Sequence, residues 1–278
     1  MKNAFSLNVT TNENGAEKFR VKKLSEELAR RKEQSDKTVS EIERAASIPR
    51  WLQYVAIILG GIGILAIAGF LEATSDADFI TAYKNAGWIL YAGGASILAA
   101  LVIFIVWTYK NKTTMNSPVA RDAIAESKRL VSRCYEDLNV PFEANDIDIF
   151  CEAFKTKNGK TKKAGFYFKY LNVACKIYRD GDNLYIAYTD GVYAFPIPNF
   201  TGIAAVKKNA YFLGWNKLQP YNKPPYRQYR VRRNDYGALL VKPYYSVRFT
   251  AFNEEYEIVI PSYEFDTLQK YITLNVAY

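Results

Sequence analysis

Histidine is absent from this chain. That removes the commonest general base and the commonest metal ligand. It also leaves Ser, Thr and Cys side chains without their usual activator as nucleophiles. Cysteine is scarce: Cys134, Cys151 and Cys175 are odd in number and widely spaced. They form neither a metal pattern nor a disulfide framework, as expected of a reducing compartment. No phosphate-cradling glycine loop is present, because Gly60-Gly61-Ile62-Gly63 lies inside an apolar run. Asp146, Asp148, Asp180, Asp182 and Asp190 fall at a strand entry or near turns, where turn chemistry accounts for them. The sequence therefore predicts no catalytic residue, no metal site and no cofactor, and the chain reads as a non-enzyme.

Charge is missing from two long stretches. Residues 51–73 and 86–109 are almost wholly apolar, with Glu72 the one acid, at an edge. Each is long enough to cross a hydrocarbon core of about 30 Å as a helix rising 1.5 Å per residue. Two transmembrane helices joined by a short external loop, 74–85, are expected. The polar first 47 residues predict no signal peptide. Arg31, Lys32, Lys37, Arg44 and Arg50 precede the first span, and Lys110, Lys112, Arg121, Lys128 and Arg129 follow the second. The loop holds only Lys84. That bias predicts both termini in the cytoplasm of an inner (plasma) membrane protein. Trp51, Tyr54, Trp88, Trp107 and Tyr109 stand where interfacial aromatics sit. Gly60 and Gly63 in the first span, and Ala92, Ser96 and Ala100 at spacing of four in the second, are candidates for close helix packing. Packing within the hairpin and a homo-oligomeric seam both fit them.

What is present elsewhere is polar and aromatic. Residues 1–15 read as a flexible N-terminus, and 16–47 as a cytoplasmic amphipathic helix. Ser117-Pro118 marks a helix start, and 117–140 is a connecting helix. From Ile147 the period becomes that of strands, punctuated by Asn158-Gly159, Asp180-Gly181-Asp182 and Asp190-Gly191. A last hairpin turns around Asn253-Glu254. A helical stripe of Phe265, Leu268 and Tyr271 or Ile272 then closes the chain. The expected fold class is a membrane α-helical hairpin plus a mainly antiparallel β domain, 146–278, closed by a C-terminal helix. The segment 146–278 is expected to fold by itself.

Tyr178-Arg-Asp-Gly-Asp-Asn-Leu-Tyr-Ile186, then Tyr193-Ala-Phe-Pro-Ile197 with Phe200-Thr-Gly-Ile203, followed by the closing helix, resembles the pleckstrin-homology-like (PH-like) superfold. The resemblance extends to its two-span, membrane-anchored YcxB-like members. It implies that the first hairpin holds lipid phosphate on basic side chains, carried here by Lys162, Lys163 and Lys169, with Lys160 at the same tip.

Net charge is +9, and a basic excess beside a bilayer favours anionic headgroups. Besides the lysine tip, Arg227, Arg230, Arg232 and Arg233 alternate with Tyr226 and Tyr229 as a candidate surface for an acidic or phosphate-bearing partner. The expected partners are the lipid bilayer, an unidentified protein, and a further copy of the chain; nucleic acid is not expected. Two functional readings follow. One is a membrane-anchored, non-enzymatic scaffold or sensor whose PH-like domain binds a protein partner or anionic lipid. The other is a two-span defence effector with a ligand-gated β-barrel that clusters and disrupts the membrane.

Overall fold

A computed structural model of the chain describes residues 1–11, 13–75, 79–164, 170–208, 210–213, 232–233, 239–241, 243–274 and 276–277. The chain divides into two compact units: Met1–Ala29 with Val131–Tyr278, and Arg30–Leu130. The helical unit is thus inserted into the sequence of the β unit. Five α-helices are described: α1 (Glu26–Ala46), α2 (Arg50–Ser75), α3 (Phe79–Met115), α4 (Pro118–Asp137) and α5 (Phe265–Gln269).

The β unit begins at the N-terminus, where the sequence predicts flexibility. Strands β1 (Lys2–Asn3), β2 (Leu7–Asn8) and β3 (Glu13–Asn14), a 3-10 turn at Gly15–Phe19 and β4 (Arg20–Lys23) are all built into the sheets. The amphipathic helix expected over 16–47 accordingly starts only at Glu26. The physical reason lies in the asparagines that suggested flexibility. Asn3 Oδ1 accepts the Phe5 N–H at 2.8 Å, and its Nδ2 donates to the Phe150 carbonyl at 3.1 Å. Asn8 and Asn14 take the Thr10 and Ala16 N–H groups in the same way. Asn side chains that mimic a backbone turn fix a short polar segment without apolar periodicity.

The later strands are β5 (Asn145–Cys151), β6 (Ala153–Lys157), β7 (Lys160–Lys163), β8 (Tyr170–Asp180), β9 (Asn183–Tyr188) and β10 (Gly191–Pro196). Then come β11 (Phe200–Val206), β12 (Ala210–Leu213), β13 (Arg232–Arg233), β14 (Leu239–Val241), β15 (Tyr244–Ala251), β16 (Glu254–Pro261) and β17 (Val276–Ala277). The main sheet runs β13-β14-β12-β8-β5-β16-β15-β11-β17; β9, β10 and β4 continue from β8, and β1 lies beside β16. Pairing is mostly antiparallel. The β1/β16, β11/β17 and β12/β8 pairs are parallel. The described strands close no barrel. A small second sheet has the order β3-β2-β6-β7.

Alternation along β5 sends Ile147, Ile149 and Cys151 into one core and Phe150 into another. The larger core holds Ile177, Leu184, Phe195 and Phe249, and it is completed from the N-terminus by Phe5 and Phe19. The Phe19 ring lies 5.0 Å from Phe195 and 5.1 Å from Tyr256. On the opposite face Phe150 stacks on Tyr170 at 5.5 Å. A third cluster joins Leu24 and Leu28 with Cys134 and Leu138 of α4 over Ala187 and Val192. The C-terminal helix is a short one: Phe265 stacks on Tyr245 at 4.4 Å, and Leu268 is buried in the larger core.

In the inserted unit, α2 and α3 are long and apolar enough to cross a membrane. They are not the buried helices of a soluble core, because Ile57, Leu65, Leu98 and Ile105 are 63–73% exposed. Most of the residues expected to form a loop between the spans are helical; 76–78 lie outside the described residues.

Candidate functional site: a lysine-faced ribbon

The tip of the β6–β7 hairpin is Asn158-Gly159, with φ of 52° and 71°. Two successive left-handed residues make the tight turn whose twist matches paired strands, and Asn-Gly is the sequence that adopts it most readily. A two-residue loop fixes the register: Lys157 opposes Lys160, Thr156 opposes Thr161, Lys155 opposes Lys162, and Phe154 opposes Lys163. Side chains directly opposite share a face, and successive residues alternate. Lys155, Lys157, Lys160 and Lys162 therefore stand together on one face, all exposed.

The other face holds the ribbon in place. Thr156 Oγ1 lies 3.2 Å from Thr161 Oγ1 and accepts from Asn8 Nδ2 at 2.9 Å, while the Thr156 N–H donates to Thr10 Oγ1 at 3.1 Å. Lys163, also on that face, pairs with Glu152 at 2.8 Å. No ion pair reaches the four lysines of the first face among the described residues. Like charges directly opposite one another repel, so an anion seated across the ladder relieves a cost already present in the fold.

The structure thus brings Lys160 and Lys162 together and turns Lys163 away from them. Lys155 and Lys157 complete the face. The two-residue Asn-Gly loop was the signal for them, because it sets which lysines oppose. Lys169, Arg227 and Arg230 lie outside the described residues. Arg232 and Arg233 form β13 and pair with Leu240 and Leu239 of β14.

The small residues of the hairpin divide as well. A Cβ on Gly60 would lie 3.8 Å from the Ala100 Cβ, and one on Gly63 only 2.7 Å from the Gly93 carbonyl oxygen. Gly93 is buried in the seam, whereas Ala92 is exposed and Ser96 only half-buried. The close-packed face of α3 is therefore Gly93–Ile97–Ala100, rotated by about one residue from the Ala92–Ser96–Ala100 row that four-residue spacing suggests.

Two carboxyls stand apart from these surfaces. Tyr263 donates to Asp148 Oδ2 at 2.8 Å, and Glu264 Oε1 accepts the Asp148 N–H at 3.1 Å. Burial, then the neighbouring Asp148 charge, pushes Glu264 up to about 7; burial also raises Asp148. The unfolded chain releases the Glu264 proton near pH 4.5 and the folded chain holds it to about 7. Stability then falls as pH rises through that window, by up to about 3 kcal/mol. Glu264→Gln, which keeps an acceptor for the Asp148 N–H, is expected to raise Tm at pH 8 and flatten the dependence of Tm on pH between 5 and 7. Thermal melts across that range check it; an unchanged slope refutes it.

All three thiols are buried. Burial pushes Cys151 up to about 12 and Cys175 well above its ordinary value. Among the described residues no group of three or more Cys, Asp or Glu is placed to hold a metal ion. Comparison with protein-family models, with curated proteins and with solved structures gives no match.

Proposed function

We propose that the chain is a membrane-anchored, non-enzymatic scaffold or sensor, held in the inner membrane by α2 and α3, whose cytoplasmic β unit engages anionic surface through the lysine face of β6–β7. The observation that carries this reading is the four-lysine ladder, exposed and without a carboxylate partner among the described residues. Each lysine near an anionic leaflet contributes about 1 kcal/mol, so four supply a usable, salt-sensitive affinity. The topology has independent support: Met1–Ala29 and Val131–Tyr278 belong to one unit. The inserted helices must leave and return on the same side of a bilayer, which an even number of spans satisfies. The mostly antiparallel sheet with its closing helix suits the PH-like class, although the N-terminal strands are an addition to it. The described strands close no barrel, so they support neither the ligand-gated barrel of the defence-effector alternative nor a closed PH-like barrel, and it is the four-lysine face that favours the scaffold or sensor reading.

The test is amine labelling of the full chain in nanodiscs. Lys155, Lys157, Lys160 and Lys162 are expected to label several-fold more slowly in anionic than in zwitterionic lipid, with the difference abolished by 1 M salt, where the Debye length falls to about 3 Å. Equal labelling in both lipids, with slowing only on addition of a captured acidic protein, moves the surface from lipid to protein partner. Equal labelling under all conditions rejects it.

A further inference from the structure

The α2–α3 pair is tight at Gly63 and Gly93 and opens toward the start of α2. There the two helices leave a groove of ≈ 440 Å³, walled by Ala56, Ile57, Ile64, Ile97, Phe104 and Trp107. Its floor is Gly60 against Ala100. From Gln53 to Ile64 it follows about 16 Å of helix, about half of a 30 Å hydrocarbon core and therefore the depth of a single leaflet.

The groove is apolar along its length and polar only at its wide end. Gln53 Nε2 donates to the Ile48 carbonyl at 3.1 Å. Trp107, held edge-on to Phe104 at 6.0 Å, has a buried indole Nε1 with no acceptor among the described residues. A buried donor in hydrocarbon has no water to satisfy it. One helical turn beyond Trp107, the exposed Lys110 ammonium donates to the Ser47 carbonyl at 3.2 Å and meets no carboxylate among the described residues.

Resting on the reading that α2 and α3 span the membrane, we infer that this groove holds one acyl chain of a cytoplasmic-leaflet anionic phospholipid. The lipid's ester or phosphate oxygens accept from Trp107 Nε1, and Lys110 faces its phosphate. Three features select that occupant. The depth matches one leaflet. Among the described residues the unsatisfied donor on the groove is Trp107 Nε1, which under the spanning reading lies near the cytoplasmic end of α3, the level of a lipid's glycerol backbone. The cation stands on the headgroup side of that donor. A helix from a second copy fills the apolar length as well, and the dimer outcome of the test separates the two.

Native mass spectrometry of the full chain, taken from membranes into mild detergent and stripped of bulk lipid, tests this with phosphatidylglycerol and phosphatidylcholine as probes. One phosphatidylglycerol per chain is expected to survive, with phosphatidylcholine exchanged away. Trp107→Phe keeps a smaller aromatic wall and removes the donor, and is expected to weaken retention by about tenfold or more, of which one hydrogen bond accounts for about tenfold. Ala56→Phe fills the groove and is expected to abolish retention while helix content by circular dichroism stays unchanged. The inference is overturned by a lipid-free wild-type chain, by undiminished retention in Ala56→Phe, or by equal retention of phosphatidylcholine. A lipid-free dimer that Ala56→Phe dissociates overturns it in favour of a subunit seam. Carbonate washing of the same membranes separates the two levels. Release of the chain refutes the spanning reading itself, whereas a chain that stays in the membrane yet carries no lipid refutes only the groove's occupant.

Discussion

Removing residues 1–23 is expected to unfold the β unit. The segment carries Ala4, Phe5, Ala16 and Phe19, all buried in the larger core, and it supplies β1 beside β16 and β4 beside β10. Truncating a single buried Phe costs about 3–5 kcal/mol, and a whole domain commonly has about 5–15 kcal/mol to lose. Two such rings come to about 6–10 kcal/mol, and with the two strand pairings lost besides they consume a margin of that size. The fragment 131–278, and with it the segment 146–278 that the sequence reads as folding by itself, should give no cooperative thermal transition in near-ultraviolet circular dichroism, because the N-terminal residues complete its core. Residues 1–29 joined to 131–278 by a flexible Gly/Ser linker should melt cooperatively. The linker replaces the inserted helices, and Leu28 and Ala29 already pack in the cluster that holds Cys134 and Leu138. A cooperative melt of 131–278 alone, at the temperature of the joined chain, would falsify this account of the core. Phe19→Ala in the full chain gives the same answer more gently, as a loss of about 3–5 kcal/mol.

The second large effect is expected at Gly63. A Cβ there would lie 2.7 Å from the Gly93 carbonyl oxygen and 3.2 Å from the Ile97 backbone nitrogen. Backbone cannot turn aside as a side-chain end can, so any larger residue must part the helices. Helix association in lipid rests on close packing rather than on the hydrophobic effect, and a parted seam loses most of it. Cysteines placed at Gly60 and Ala100 report the seam directly. Their Cβ separation of 3.8 Å equals the mean for disulfides, about 3.8 Å. Gly60→Cys with Ala100→Cys should cross-link nearly completely under mild oxidation, and adding Gly63→Val should reduce the yield by about tenfold or more. Gly69 faces open space, so Gly69→Val in the same background should change nothing. Equal cross-linking in the two valine variants would show that the helices do not meet at Gly63.

Much of this fold was legible where apolar residues recur with a period. The two long apolar helices declare themselves by length alone, and alternation marks 184–189 and 192–197, which the structure forms as β9 and β10. The turns at Asn158-Gly159 and Asp180-Gly181 carry the residues that left-handed backbone demands, with Gly159 and Gly181 at φ of 71° and 56°. The last hairpin shows how such reasoning slips. Its left-handed pair is Phe252-Asn253 rather than Asn253-Glu254. A phenylalanine is a poor residue for that backbone, and here its ring lies 5.4 Å from Phe19. The contact is long-range and invisible to local rules. The N-terminal strands were hidden for a related reason. They are two to four residues long, and their order comes from asparagine side chains and from partners more than 140 residues away.

The candidate site was half legible. The lysines were plain, but their sorting into faces required the register, which places Lys155 and Lys157 with Lys160 and Lys162 and sends Lys163 to Glu152. The seam of α3 was displaced because a four-residue row drifts around a helix of 3.6 residues per turn.

Interrupting one unit with another also sets a timetable during synthesis. Lys2 pairs with Tyr256, so a ribosome adding about 5–20 residues per second makes the first strand wait on the order of 12–50 s for its neighbour. Until the last strands emerge, the core around Phe5 and Phe19 stays incomplete, while the helices between them and their partners are already made. The two halves of the β unit must therefore find each other across about a hundred residues of helix made in between.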